Sequence, residues 1–212
     1  MLNRSAAVAH RRVNGLWVFG YGSLMWRPDF EFERQVLGRC AGVRRSFCVW
    51  SVFHRGSVAA PGLVLGLESG GMCEGMLFYV PPPQVEGVIK ALREREQITN
   101  VYRETYQRVE LMDGSGQVVS ALCFVADRSH PQFALGLSCA QKAEVIKRAR
   151  GRSGHNLDYL AQTLKHLREL GVRDDAMEHV FVMTRSTYKF GPSLAARFPC
   201  FTPDGRWGRF KA

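Results

Sequence analysis

Three consecutive prolines, Pro81, Pro82 and Pro83, divide the chain into two regimes of hydrophobic period. Proline lacks a backbone N–H and has a fixed φ, so neither a sheet ladder nor a helix interior runs through such a triplet. Before it lie apolar, β-branched and aromatic runs at 16–21, 43–52, 63–68 and 73–80, separated by Gly or Pro, and these predict strands. Directly after it Val85, Val88, Ile89 and Leu92 recur at the i, i+3, i+4, i+7 spacing, which predicts a helix over about 84–97. Further on, 102–112 and 117–127 flank Asp113-Gly114-Ser115-Gly116 and read as a β-hairpin. Ser138 and Gln141 form a capping box ahead of Val145, Ile146 and Ala149, the apolar face of a second helix. A third helix starts near Asn156, carries Leu157, Leu160, Leu164 and Leu167, and stops at Gly171. From about Val180 the period dissolves into Phe, Pro, Gly and Arg.

Strands first, a helix midway, a hairpin and then helices describe an α+β fold: a curled, largely antiparallel sheet with flanking helices. At 212 residues and 46% hydrophobic, the chain can bury one compact core. The expected organisation is a flexible N-terminal segment over 1–15, a folded domain over 16–180 and a tail or arm over 181–212.

The formal charge of +10 would by itself suggest a nucleic-acid partner, but its placement argues against one. Residues 1–12 carry +3 and residues 181–212 carry +5, which leaves +2 for everything between. A duplex binder gathers its basic residues on a folded face rather than at chain ends. The six cysteines include no CxxC pair and no signal-peptide pattern precedes them, so reduced thiols and a cytoplasmic location are expected. No apolar run approaches the ~20 residues needed to span a bilayer.

The six histidines show no HExxH or other close zinc spacing, so no metal site is expected. Nor is there a GxSxG elbow, a Walker A loop or a GxGxxG fingerprint, and no cofactor is expected either. Among the carboxylates, Glu96 stands out. At 100° per residue, the eleven steps from Val85 to Glu96 return to within about 20° of the apolar stripe. Either Glu96 is buried there, with its pKa pushed up toward the range useful for proton transfer, or the helix has frayed and Glu96 is solvated or paired with Arg93 or Arg103. A second candidate is Phe19-Gly20-Tyr21-Gly22-Ser23-Leu24, either a loop that aims N–H groups at a ligand oxygen or a plain strand-to-loop corner. Tyr21 is then either core or pocket wall. In His54-Arg55-Gly56, Arg55 could meet an anion through its fork, or the cluster is a solvated turn. The segment Gly151-Arg152-Ser153-Gly154-His155-Asn156 either binds an anion at a helix start or simply caps that helix.

Taken together, several of these motifs resemble the ChaC family of γ-glutamylcyclotransferases. They are Val18-Phe19-Gly20-Tyr21-Gly22-Ser23-Leu24-Met25-Trp26-Arg27-Pro28-Asp29-Phe30, His54-Arg55-Gly56, Pro61-Gly62, Arg95-Glu96 with Tyr102 six residues on, and Ser153-Gly154-x-Asn156-x-x-Tyr159-Leu160. The resemblance runs in order over about 16–180. It implies a mixed fold with a β-barrel-like sheet. It also implies a cofactor-free reaction that releases 5-oxoproline from a γ-glutamyl compound, for this branch reduced glutathione, leaving Cys-Gly. By the same resemblance Val18, Phe19, Gly20, Tyr21, Gly22, Ser23 and Leu24 form the substrate-binding loop and Glu96 is the catalytic acid/base, with Arg55 and Tyr102 completing the substrate-binding set. One departure is Asn100-Val101, where many relatives have Gly-Gly. The tail from about 180 to 212 has no counterpart that aligns.

Two alternatives accompany this expectation. One is a cyclotransferase acting on other γ-glutamyl amines or amino acids. The other is a basic binding module that keeps the fold without the activity.

Overall fold

The structure, a computed structural model, describes residues 15–185. They form two compact units, one from residues 15–45 and 67–125, the other from 46–66 and 126–185. The segment 1–14 and the tail from 186 onward, to which most of the basic charge was traced, lie outside the described residues.

In the first unit the expected curled sheet is a closed five-stranded barrel of order β1-β3-β2-β4-β5. The strands are β1 (Leu16–Gly20), β2 (Arg34–Ser51), β3 (Gly62–Val80), β4 (Tyr102–Leu111) and β5 (Val118–Ala126), the second and third reaching into the other unit's residue range. β1 pairs antiparallel with β3 from Leu16↔Val80 to Gly20↔Met76, and β2 pairs antiparallel with β4 from Gly38↔Leu111 to Cys40↔Val109. The closing pair is parallel: Trp17↔Ala121 and Val18↔Leu122 join β1 to β5. Val18, Phe19, Leu77, Leu111 and Leu122 are buried on its strands. Each such side chain taken from water contributes roughly 1.5–3 kcal/mol.

The helix predicted after the prolines is α1 (Val85–Glu96), entered through a 3₁₀ turn at Pro82–Gln84. Val85, Val88, Ile89 and Leu92 are its buried face, as their spacing required. Two strands are longer than hydrophobic period predicts. β2 begins at Arg34, well before Val43, because its first half is largely polar on the outside. The runs at 63–68 and 73–80 are one strand, since Gly70 and Gly71, at φ +91° and +87°, bend the chain without ending it.

The second unit holds three helices: α2 (Cys139–Arg148), α3 (Asn156–Glu169) and α4 (Asp175–Thr184). The capping box is present as expected: Ser138 Oγ accepts from the Gln141 amide at 3.2 Å and Gln141 Oε1 accepts from the Ser138 amide at 2.9 Å. α4 was not predicted, and it runs past Val180, where the apolar period fades. Its start is set by Asp174, whose carboxylate accepts from the Met177 amide at 3.1 Å. None of the helices among the described residues is long and apolar enough to cross a membrane.

Candidate active site

The first unit brings the end of β1 and the end of α1 to one cluster. Val18, Phe19 and Gly20 lie within β1, with Val18 and Phe19 in the core, so the part of the glycine-rich segment that leaves the sheet starts at Tyr21. A 3₁₀ turn, Ser23–Met25, follows at once. It is closed by the Met25 amide donating to the Gly22 carbonyl at 2.9 Å, while the Arg27 amide donates to the Ser23 carbonyl at 2.8 Å. The amides of Gly22, Ser23 and Leu24 precede the first donor of this turn, the Met25 amide, so the turn itself uses none of them. Tyr21 is buried and its hydroxyl donates to the Phe124 carbonyl at 2.9 Å.

Glu96 is the last residue of α1, and the helix holds its geometry through that position because the Gln97 amide still donates to the Arg93 carbonyl at 3.0 Å. Its side chain is 19% exposed, and Arg95 Nε lies 3.2 Å from its Oε1. Arg93 turns away to Glu104, at 2.6 Å. Burial pushes the Glu96 pKa above the ordinary carboxylate value, and the adjacent Arg95 opposes part of that rise by charge and hydrogen bond. The result is a carboxyl group that keeps its proton to a higher pH than an ordinary carboxylate.

Arg95, which the sequence marks only as the residue before Glu96, organises the cluster. Its Nη2 donates to Ser23 Oγ at 2.9 Å, and its Nη1 donates to Asp29 Oδ2 and to the Arg27 carbonyl, each at 2.8 Å. One guanidinium thus connects the Glu96 carboxylate with the turn after β1. Asp29 adopts φ +57° to complete this wrap. Nothing local in the sequence signals these bonds, which span 66 to 72 residues of chain.

After Glu96 the backbone turns through Asn100 at φ +58° into Tyr102, the half-buried first residue of β4. That left-handed position suits asparagine. Asn is the side-chain-bearing residue that enters this region most readily.

The remaining motif residues gather in the second unit. Arg55 Nη1 donates to the Ser153 carbonyl at 2.5 Å and its guanidinium lies 5.0 Å over the Tyr159 ring. His54 Nδ1 is 3.1 Å from Ser153 Oγ. Asn156, fully buried at the start of α3, accepts from the Leu63 amide through Oδ1 and donates to the Leu63 carbonyl through Nδ2, both at 2.7 Å. A Cβ on Gly56 would lie 2.1 Å from the Gly62 nitrogen, and one on Gly62 would lie 2.1 Å from the Arg55 carbonyl. So Arg55 is anchored in a tight fold-back, and the 151–156 segment serves as its seat and as the entry to α3. Glu96, the turn after β1 and Tyr102 share one unit, while Arg55 belongs to the other. No group of three or more His, Cys, Asp or Glu among the described residues has metal-holding geometry.

A protein-family model described as ChaC-like protein matches residues 16–187. A glutathione-specific gamma-glutamylcyclotransferase of Escherichia coli (strain K12) is 34% identical over 196 residues, covering 92% of this chain and 81% of that protein. Glutathione-specific gamma-glutamylcyclotransferase 1 of Homo sapiens is 33% identical over 191 residues, covering 89% and 82%. A crystal structure of a gamma-glutamyl cyclotransferase specific to glutathione from yeast superposes with a TM-score of 0.72 at 22% identity, covering 81% of this chain and 96% of that one, a likeness of fold.

Proposed function

Because the chain belongs to the ChaC-like protein family, we propose that it degrades glutathione by γ-glutamyl cyclotransfer, yielding 5-oxoproline and Cys-Gly, with Glu96 as general base and acid. The observation that carries this reading is the shared guanidinium: Arg95 holds a sheltered carboxylate and the turn after β1 in one assembly.

A γ-glutamyl amide brings both reaction partners, its α-amine as nucleophile and its γ-carbonyl as electrophile. What it lacks is a folded-back conformation and a route for protons. The ammonium must lose one proton before attack and a second after the five-membered ring closes, and the departing nitrogen takes up both as it leaves as an ammonium. A carboxyl group that cycles between its two states can carry each transfer, work worth typically ~10²- to 10⁴-fold. Holding amine and carbonyl in near-attack geometry contributes up to ~7–11 kcal/mol in the best intramolecular cases. In this reading the amides of Gly22, Ser23 and Leu24 receive the substrate's α-carboxylate or the developing oxyanion, worth a few kcal/mol more. Tyr102, in the same unit as Glu96, belongs to the substrate-binding set.

The test is product identification with reduced glutathione, run beside γ-glutamyl amino acids and γ-glutamyl amines. Equimolar 5-oxoproline and Cys-Gly from glutathione, with little product from the others, is the expected result. Absence of 5-oxoproline from every substrate removes the reading. Glu96→Gln should fold and lose about 10²- to 10⁴-fold in turnover, and wild-type turnover in that variant would remove its acid/base role.

A further inference from the structure

A second, buried arginine acts on the same turn from β2. Arg45 follows Val43 by two on β2, the spacing that puts both side chains on one face, and the two are only 5% and 6% exposed. A guanidinium at such a depth must be met by acceptors, because an ionised group stripped of water is otherwise too costly to keep. Arg45 Nε donates to the Tyr21 carbonyl and Nη2 to the Glu74 carbonyl, each at 2.5 Å, and Nη2 is 3.7 Å from Met25 Sδ. One acceptor opens the turn after β1 and the other belongs to the β3 wall, so this cation staples the turn to the barrel.

The bond to Tyr21 has a consequence for its neighbour. Among the described residues no peptide is cis, so the Tyr21 C=O and the Gly22 N–H point in opposite directions within one rigid plane. Holding the oxygen toward Arg45 therefore holds the Gly22 N–H away from it. Glycine tolerates both orientations of the preceding peptide at little cost, so the plane is not fixed by residue 22 itself. We propose that Arg45 is a positioning residue for the γ-glutamyl substrate: it fixes the Tyr21–Gly22 peptide and so aims the Gly22 N–H as a donor to a substrate oxygen. This rests on the reading of the turn as the substrate loop given above.

The experiment compares Arg45→Met and Arg45→Lys with Val43→Ala, a control on the same strand face whose side chain carries no hydrogen-bond donor. Three quantities are read on the full chain: the Gly22 amide shift and hydrogen-exchange rate in ¹⁵N-glycine-labelled protein, kcat and KM for 5-oxoproline release from glutathione, and Tm. Arg45→Met should accelerate Gly22 exchange and lower kcat/KM by more than about tenfold, one lost donor to a charged group. The loss falls in KM if the amide holds the α-carboxylate and in kcat if it meets the oxyanion. Arg45→Lys, which keeps the charge and one donor, should recover part of both, while Val43→Ala lowers Tm and moves neither. A folded Arg45→Met with wild-type Gly22 exchange and kcat/KM overturns the proposal, as does an equal activity loss in an equally destabilised Val43→Ala. If Arg45→Met does not fold, Arg45→Lys decides by the same readouts. Were the wild type itself to release no 5-oxoproline, the cyclotransferase reading would fail, and an unchanged Gly22 amide in the variants would separately overturn the role of Arg45.

Discussion

Asn156→Asp replaces one NH₂ by one oxygen and so isolates a single donor in the seat of the Arg55 fold-back. In the native protein the Asn156 amide meets both backbone groups of Leu63 at 2.7 Å in a fully buried position. The aspartate keeps the acceptor for the Leu63 amide. It donates to the Leu63 carbonyl only while protonated, and once ionised it sets a buried negative charge against that oxygen. Its folded pKa therefore lies above the unfolded value of about 3.9, and the sign follows by linkage. The variant's stability relative to wild type is retained below the unfolded pKa and lost as pH rises through the folded pKa. At neutral pH the deficit should reach at least the cost of one unsatisfied buried group, about 1–3 kcal/mol, and more for the charge. Asn156→Leu, which abandons both Leu63 groups, should cost about 2–6 kcal/mol at every pH. With roughly 2–4 °C per kcal/mol for a chain of this size, that deficit is on the order of 10 °C. Thermal melts of the three proteins across pH 4 to 8 make the comparison. An Asn156→Asp deficit that does not grow with pH, or an Asn156→Leu protein as stable as wild type, would refute the argument that Leu63 depends on this amide.

Three further outcomes follow from the first unit. Burial raises the Glu96 pKa above 4.5, so ionising it penalises the folded state. The Tm advantage of Glu96→Gln over wild type should be near zero below that value and widen as pH rises, and a calorimetric series showing the reverse trend would mean the carboxylate is stabilised by ionisation. Arg95 is the group that lowers the Glu96 pKa, so Arg95→Met should move the acid limb of the kcat/KM–pH profile upward, since the base form is then reached at higher pH. An unmoved limb in a folded, active Arg95→Met would detach Arg95 from the carboxylate. At Asn100, where φ is +58°, Asn100→Gly should change stability by no more than about 0.5 kcal/mol, whereas Asn100→Val should cost roughly 1–2 kcal/mol. Chemical denaturation of the two variants distinguishes them, and equal midpoints would contradict the left-handed turn.

How far the site could be read in advance depends on whether a residue's neighbours are near in sequence. Glu96 was legible because eleven steps of helical rotation are local arithmetic, and its side chain does lie on the sheltered edge of α1. The capping box at Ser138 was legible for the same reason. Arg45 was not, although it sits between Val43 and Phe47, where strand alternation calls for an apolar residue. A charged side chain there is ordinarily assigned to the exposed face, and its acceptors are carbonyls 24 and 29 residues away. The bonds of Arg95 escaped for the same reason of distance. The strand before Val43 was hidden by polar outward residues, and α4 by a start that rests on one aspartate rather than on a long apolar stripe.

The glycine-bearing motifs turn from pattern into mechanics once such distances are known. Gly56 and Gly62 are adjacent in space because two backbones cross with no room for a β-carbon on either. A β-carbon on Gly56 would press on the Gly62 nitrogen and one on Gly62 on the Arg55 carbonyl, and Asn156 ties the next residue, Leu63, to the start of α3. The two short motifs and the Ser153–Tyr159 motif therefore make a single device that holds Arg55 over Tyr159. The motif after β1 is a device of another kind, in which Arg45 and Arg95 bind the turn through different atoms, one through a carbonyl and one through a hydroxyl. Each arginine controls something the other cannot. Arg45 sets the direction of a backbone donor, and Arg95 sets the ease with which Glu96 gives up a proton. Loss of the first should therefore be visible in how well substrate is held and oriented, and loss of the second in the pH at which the free enzyme becomes competent, read in kcat/KM.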